Sequence, residues 1–253
     1  MSSKFVNELE VSFNIKVEKR KLPLERIPIV QETPNCCNYR ERFVSEILSS
    51  NQTGVKLSGY MVSHKYWIAY AELVMSHLQF KDSVKRQSES LIDDMLADKG
   101  LKRKDVLLIG IHTRRGDYSD ELRQAQGFVP ALESYVYSAV EFHEQRNYTR
   151  ARNKTMIFLL LGNDLEWNRQ VAANLTNVIV PQRLNNKKID LCILTLCDHY
   201  SMSVGTFGLW AALLAKPTAT ITYQKLMFKM NSTKALYYDN SLEEFVLPHW
   251  IPL

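Results

Sequence analysis

The sequence predicts an α/β chain built on a parallel sheet. Two observations support this class: short, continuously apolar runs such as VLLIGIHT (residues 106–113), and helical patterns that alternate with them. Strands buried on both faces have such continuous runs, and alternation of strand with helix is typical of a right-handed parallel sheet. Because these sheets bind ligands at the carboxyl ends of their strands, we expect the functional residues in the loops that follow them.

The first hundred residues have a weaker pattern. Residues 16–26 are rich in charge, and prolines in and after them favour connecting structure. Residues 65–80 predict a helix with one apolar face, made by side chains at helical spacing: Trp67, Ile68, Ala71, Val74, Met75 and Leu78. Residues 82–99 predict a charged helix that ends before Gly100.

From residue 105 onward the elements alternate. The predicted strands are residues 106–113, 156–162, 176–180, 200–204 and, as the last strand, 218–223. The predicted helices between them are residues 130–146, opened by Pro130 in the first turn, and residues 164–175, 187–197 and 207–215. We find no internal repeat.

The composition excludes several classes of protein. With 45% hydrophobic and 23% charged residues, the chain is not disordered or collagen-like, and its net charge of +5 is too small and scattered to indicate a nucleic-acid binder. No run approaches the ~18 apolar residues that cross a bilayer. The start MSSKFVNELEV lacks the basic and apolar regions of a signal peptide, so we expect neither a membrane segment nor a targeting segment in this sequence.

Two features nevertheless favour a secretory compartment. Asn-X-Ser/Thr sequons occur more often than the roughly two expected by chance, at Asn51, Asn147, Asn153, Asn174 and Asn231. The cysteines do not have the spacing of a zinc site, and they form either two disulfides or buried free thiols: Cys36, Cys37, Cys192 and Cys197.

The sharpest motif is IHTRRGDY, where the first strand of the alternating region breaks into a loop. Arg114 and Arg115 point to opposite faces of a regular strand, and Gly116 lets the backbone turn after them. A guanidinium is a permanent planar cation that matches phosphate oxygens. We expect one arginine to pair with Asp117 for structural reasons and the other to bind phosphate. His112 is either a structural residue or a ligand contact.

Two further turns follow predicted strands. In SVGTFGLW, glycines allow close approach of a ligand, Thr206 adds a hydroxyl, and the helix N-terminus favours an anion; a simple capped helix is the alternative. In LGNDLEW, Asp164 is suited to accept hydrogen bonds from a guanine ring, or it caps the next helix.

These motifs resemble those of a known family. HTRRGDY resembles the HxRRxD motif of fucosyltransferases that use GDP-fucose, and the order of SGYMVSHKYW, HTRRGDY, LGNDLEW and CDHYSMSVGTFGLWAALL is most similar to glycosyltransferase family 11, the α-1,2-fucosyltransferases. The resemblance implies a GT-B-like fold: a Rossmann-like parallel sheet with flanking helices and a smaller, partial N-terminal lobe. Residues 1–100 would be the irregular and helical, acceptor-side part, and residues 101–253 the GDP-fucose-binding domain.

The resemblance also implies roles for single residues. Arg114 would contact the diphosphate, with Arg115 supporting it or the loop, while His112 and Asp164 would lie near guanine. The phosphates would be near the helix start, formed by Gly205, Thr206 and Phe207. Asp117 and Glu121, together with Asp120, are the candidate general bases. No metal or cofactor is implied, and no Asp-X-Asp triplet occurs that would hold a cation.

The implied activity is transfer of fucose from GDP-fucose to a galactoside hydroxyl with inversion, in an α-1,2 linkage. The implied setting is the Golgi lumen or membrane, for a glycoprotein whose full-length form carries an anchor, and the partners are GDP-fucose and a glycan acceptor. The sequence departs from the family pattern at Val62, Gly205, Gly208 and Leu209, and it lacks a GxxGNQ-like segment. A catalytically impaired glycan- or nucleotide-binding paralogue is therefore the alternative.

Overall fold

The computed structural model of the chain describes residues 12–14, 29–31, 38–49, 56–148, 153–238 and 241–253. Short strands β1 and β2 form a parallel pair, and six further strands form one parallel sheet. The bounds are β1 Ile29–Gln31, β2 Lys56–Ser58, β3 Val106–Thr113, β4 Thr155–Gly162, β5 Val178–Ile179, β6 His199–Met202, β7 Ile221–Tyr223 and β8 Ile251–Pro252.

Helices precede, connect and follow these strands. Their bounds are α1 Arg42–Ser49, α2 Ala71–His77, α3 Asp82–Ala97, α4 Glu121–Ala125, α5 Glu133–Gln145, α6 Leu165–Ala172, α7 Lys187–Leu196, α8 Thr206–Leu213 and α9 Thr233–Leu236. The predicted α/β class with a Rossmann-like parallel sheet is confirmed. The proposed division of the chain at residue 100 stays a prediction.

The order of the six strands places a crevice in the middle of the sheet. The order is β5-β4-β3-β6-β7-β8, and every neighbouring pair is parallel. The chain runs outward from β3 to β5, then crosses back to β6 on the other side of β3. Such a reversal is a topological switch point, where the connections on the two sides diverge and leave room for a ligand.

The core lies on both faces of this sheet. All eight residues of β3 are buried, which accounts for its continuous apolar run. Leu108 packs on the side covered by α3, α7 and α8, whereas Ile109 packs on the side covered by α5 and α6. The two faces thus hold the strand ends in fixed positions for the loops that follow.

The helix after the arginine motif begins later than predicted. It starts at Glu133, with Leu132 in extended backbone as its N-cap, so Pro130 is not in its first turn. Ala131 N donates to the Arg114 carbonyl at 2.8 Å, and Gln224 bonds both the Pro130 carbonyl and the Leu132 amide. These tertiary hydrogen bonds hold residues 130–132 extended and delay the helix.

The segment of residues 65–80 is not one helix with a buried apolar face. It forms two short 3-10 turns, His64–Tyr66 and Ile68–Tyr70, and then α2, which has no buried residue. The strand predicted at 218–223 is present as β7, but it is not the last one, because β8 follows it and pairs with β7.

Cys192 and Cys197 are free and buried, so a disulfide at either is excluded. Cys36, Cys37 and Asn51 lie outside the described residues. Over the described ranges, no helix is both long and apolar enough to cross a membrane.

Candidate functional site

The three predicted turns meet at one edge of the sheet. β3, β4 and β6 are adjacent and parallel, and they end at Thr113, Gly162 and Met202. The arginine motif and the glycine turn before α8 therefore face each other across the switch point. They are bonded there, since Arg114 N donates to Ser203 Oγ at 2.8 Å and Ser203 N donates to the His112 carbonyl at 3.2 Å.

Arg114 presents its guanidinium at this crevice. Its Nη2 lies 2.5 Å from Asp117 Oδ1, its Cζ lies 5.6 Å from the centre of the Tyr118 ring, and its side chain is 34% exposed. Arg114 thus both pairs with Asp117 and lines the crevice, and phosphate binding by either arginine stays a prediction. A single, half-exposed carboxylate leaves guanidinium donors for a second anion.

Arg115 is held within the protein. Its guanidinium stacks 4.3 Å from the centre of the Trp167 ring, its Nη1 donates to the Ala131 carbonyl at 2.7 Å, and its Nε lies 3.6 Å from Asp164 Oδ2. These contacts join the loop after β3 to the start of α6. Arg115 therefore fixes the loop, which is one of the two roles expected for it.

Gly116 makes the turn possible. Its φ is +49°, and a Cβ at this position would lie 2.3 Å from Asn163 Nδ2. Asn163 Oδ1 accepts from Arg115 N at 2.8 Å. The loops after β3 and β4 thus approach too closely for a side chain at residue 116.

A cavity of about 170 Å³ opens beside Arg114. It lies between the ends of β3 and β4 and the helices α7 and α8, and its lining includes two predicted residues besides Arg114, namely His112 and Phe207. Leu161, Gly162 and Asn163 of the LGNDLEW turn also line it, whereas the sequence did not point to four further lining residues: Leu184, Asn185, Lys187 and Asp190.

Asp190 is the carboxylate of this cavity. Asn185 Nδ2 donates to its Oδ1 at 2.9 Å, and burial raises its pKa. It lies in the first turn of α7, the helix that carries the chain back across the switch point. No sequence signal singles it out, since this helix also carries Lys187 and Lys188 in its first turn and Asp190 belongs to none of the motifs.

Asp164 is a helix cap. Its Oδ1 accepts from Trp167 N at 3.1 Å, and its Oδ2 faces Arg115. The capping role left open by the sequence is therefore present, while contact with a base stays a prediction.

His112 is neutral at the base of the cavity. It is 4% exposed, and burial, with a smaller contribution from the Arg114 charge, lowers its pKa to about 3. Its ring centre lies 5.4 Å from that of Phe207, and its Nδ1 lies 3.4 Å from Ser203 Oγ. A neutral imidazole both donates and accepts hydrogen bonds without adding charge.

The start of α8 faces the crevice with uncapped amides. Gly205 is its N-cap, with φ +90°, and having no side chain it makes no capping hydrogen bond to the first turn. Free N–H groups and the positive end of the helix favour an anion there. Thr206 is exposed and lines a neighbouring cavity of about 460 Å³ with Phe207 and Trp210.

The three candidate bases follow β3, and one of them, Asp120, is the exposed N-cap residue of α4. Asp117 is about half exposed and bonded to Arg114, and Glu121 is exposed in the first turn of α4. Among the residues that the structure describes, no three His, Cys, Asp or Glu side chains cluster as metal ligands would.

A comparison with protein families decides the class of this site. The profile described as glycosyl transferase family 11 matches residues 39–251. The chain belongs to this family. The resemblance seen in the sequence motifs is thus confirmed, and the family 11 match covers both the arginine motif and the glycine turn.

Curated relatives of this family 11 chain are fucosyltransferases. Galactoside alpha-(1,2)-fucosyltransferase 1 of Saimiri boliviensis boliviensis is 30% identical over 165 residues, and that of Plecturocebus brunneus is 29% identical. Each alignment covers 64% of this chain and 43% of the relative. The chain thus spans less than half of the length of these relatives.

Solved structures with similarity to the chain include two fucosyltransferases. The NodZ alpha-1,6-fucosyltransferase soaked with GDP-fucose has a TM-score of 0.47 and 15% identity, over 75% of this chain and 63% of that one. POFUT1 in complex with GDP-fucose has a TM-score of 0.43 and 9% identity, over 72% and 58% of the two chains.

Proposed function

We propose that this chain binds GDP-fucose at the switch point and transfers its fucose to a galactoside hydroxyl with inversion, without a metal, in an α-1,2 linkage. One observation carries the proposal: the Arg114 guanidinium and the uncapped start of α8 face the same crevice beside a cavity. Family membership and relatives named galactoside α-(1,2)-fucosyltransferases support the sugar and the acceptor.

The charge that develops in the reaction explains this arrangement. As the bond between the anomeric carbon and its oxygen breaks, the departing β-phosphate gains negative charge. Arg114 and the amides of residues 206 and 207 neutralise that charge from fixed positions, which costs no rearrangement during the reaction. Asp117 holds the Arg114 side chain toward the crevice.

The acceptor hydroxyl must lose its proton as it attacks the anomeric carbon. Asp117 contacts Arg114 directly, so a base at this position stands beside the departing phosphate. Glu121, four residues along the same loop, is the second candidate for this role. Both assignments remain part of the proposal.

The nucleobase would occupy the cavity of about 170 Å³. Guanine offers two adjacent N–H donors on one edge, and a carboxylate accepts both. Asp190 is the carboxylate that lines the cavity, and neutral His112 adds one hydrogen bond. We therefore place the guanine edge at Asp190, with Asp164 supporting the loop through Arg115.

The Golgi setting is also part of the proposal. The sequon residues Asn153, Asn174 and Asn231 are exposed, as glycosylation requires.

Titration of GDP against the parent and Arg114→Ala tests the proposed function. We expect the variant to lose affinity at least tenfold and turnover roughly a hundredfold, because one such donor is worth ~3 kcal/mol in the transition state. Arg169→Ala removes the same charge from an exposed site on α6 and is the matched control. Equal affinity of parent and Arg114→Ala would overturn the site, and GDP binding without transfer to any galactoside would favour the impaired paralogue.

A further inference from the structure

The loop that carries Arg114 is tied to a distant segment of the chain. Residues 126–128, at the far end of the loop, pair with residues 228–234 through Lys229 N to the Gly127 carbonyl and Lys234 N to the Gln126 carbonyl, both at 2.9 Å. Phe128 and Phe228 also form an isolated antiparallel β-bridge through their backbones. The shape of the loop therefore depends on how firmly this segment holds it.

Lys234 stands at the centre of this contact. Its Nζ lies 4.6 Å from the ring centre of Phe128, 4.9 Å from that of Tyr238 and 5.6 Å from that of Tyr237. No carboxylate in the described part of the chain forms an ion pair with it. The ring faces are thus the groups that compensate this partly buried ammonium, as cation–π contacts do.

A chain of ring contacts leads from Lys234 to the crevice. Phe128 meets Tyr118 edge to face, with ring centres 4.9 Å apart, and the Tyr118 ring lies under the Arg114 guanidinium at 5.6 Å. A displacement of Phe128 therefore reaches Arg114 through a single intervening ring. Because aromatic pairs prefer particular geometries, the position of one ring constrains the next.

We propose that Lys234 is a positioning residue, which holds the Arg114 loop in the geometry that binds the diphosphate through Phe128 and Tyr118. This inference rests on the proposed function for its effect on the nucleotide. It assigns to the segment around α9 a part in the site, although that segment does not line the nucleotide cavity.

The charge of Lys234 is open to titration. Burial, together with the neighbouring charge of Arg123, lowers its pKa to about 8. The charged and titratable groups around Lys234 are Arg123, whose Cζ lies 5.2 Å from the centre of the same Phe128 ring, and the tyrosines Tyr237 and Tyr238; burial raises the pKa of Tyr238. As the pH rises through 8, Lys234 therefore loses its charge and its attraction for the rings.

The test compares GDP binding by the parent, Lys234→Arg and Lys234→Met at about pH 7 and about pH 9.5, on either side of this pKa. We expect the parent to lose affinity roughly fivefold between the two, Lys234→Arg to bind equally well at both, and Lys234→Met to bind weakly at both. Lys229→Met removes an exposed charge from the same segment and should follow the parent. The proposal is overturned if Lys234→Arg shows the same loss as the parent, a comparison that stands even if Lys234→Met does not fold.

Hydrogen exchange of the ligand-free proteins separates this inference from the proposed function. The amides of residues 116–128 should exchange faster in Lys234→Met than in the parent at about pH 7, while those of β3 and β4 exchange equally in both, and Lys234→Arg should restore the parent rate. If the parent does not bind GDP, the proposed function fails and this exchange result alone decides the inference. Unchanged exchange in the loop of Lys234→Met would refute it.

Discussion

At the scale of single residues, Asp164 and Asp190 differ in how many of their carboxylate acceptor positions are already used. Asp164 has one oxygen on a backbone amide and the other toward Arg115, whereas Asp190 lines the cavity with one hydrogen bond from Asn185. A carboxylate has about four acceptor positions, so Asp190 retains capacity for a base. The two residues should respond differently to substitution.

We expect Asp190→Asn to weaken GDP binding roughly tenfold to a hundredfold, because hydrogen bonds to a charged group are worth about 1.5–3 kcal/mol. Its preference for GDP over ADP should fall as well, since the amide presents a donor where guanine needs an acceptor. Calorimetric titration of both nucleotides gives these values. Asp164→Ala is the matched comparison: the lost cap should lower stability by about 1 kcal/mol and leave the GDP preference unchanged. If instead Asp164→Ala lost the preference for GDP and Asp190→Asn kept it, guanine would be bound at Asp164.

The residue scale also shows what a sequence can reveal of a site. Arg114 was found because it stands in a contiguous motif at a strand end, and the resemblance to a family gave it a role. Asp190 is not predictable in this way, because it belongs to no motif, and only the crossing of α7 over the switch point brings it into the cavity that Arg114 lines. A pair with Asp117 after a turn at Gly116 is also predictable, but the spacing does not tell which of the two arginines forms it.

At the scale of elements, close packing at the start of α8 fixes the crevice. A Cβ on Gly208 would lie 2.8 Å from Nδ1 of the buried His112 ring. Alanine is otherwise the better helix former by about 1 kcal/mol. In Gly208→Ala the clash with His112 therefore lowers stability, whereas the higher helix propensity of alanine raises it.

We expect the clash to decide, because a shift of the buried His112 ring would disturb its contacts with Phe207 and Ser203. Gly208→Ala should lower stability by about 1–3 kcal/mol, which is typical of overpacking, and weaken GDP binding as the ring shifts toward the cavity. Thermal melts and GDP titration measure the two effects. In Gly208→Ala with His112→Ala, the destabilisation should be smaller than the sum of the single changes. A more stable Gly208→Ala variant would show that the ring is free to move.

Most elements were predictable because local pattern and tertiary environment agree. β3 is buried along its whole length, so its apolar run was unambiguous. The sequence pattern is misleading where tertiary contacts override it. Hydrogen bonds from Gln224, nearly a hundred residues away, delay the start of α5. The apolar side chains of residues 65–78 are mostly not buried in the described structure, so their helical spacing does not mark a core-facing helix.

At the scale of the whole molecule, buried histidines link the fold to pH. His143 lies between Tyr148 and Ser201 under the sheet, and His199 stacks on Tyr148. Burial lowers the pKa of His112 and His143 to about 3 and that of His199 to about 4. An unfolded histidine has a pKa near 6.5, so between these values the unfolded chain binds more protons than the folded one.

The sign of the pH effect follows from this difference. The folded chain is most stable above about pH 6.5 and loses stability as the pH falls toward about 3. His112 and His143 each remove ~1.4 kcal/mol between about pH 7.5 and about pH 5.5, and His199, which is less deeply buried, removes less. Denaturant unfolding at the two pH values measures the total.

Two variants test whether the buried histidine rings cause this loss of stability at lower pH. His143→Gln keeps an amide for Tyr148 and Ser201 but cannot take up a proton, so its loss of stability should be smaller than that of the parent by ~1.4 kcal/mol over the same interval. His77→Gln, on the exposed side of α2, should lose as much as the parent. Asp190, whose raised pKa acts in the opposite direction, is present in all three proteins and cancels in the comparison. An equal loss in His143→Gln and the parent would contradict this, because it would mean that His143 has the same pKa in the folded chain as in the unfolded one.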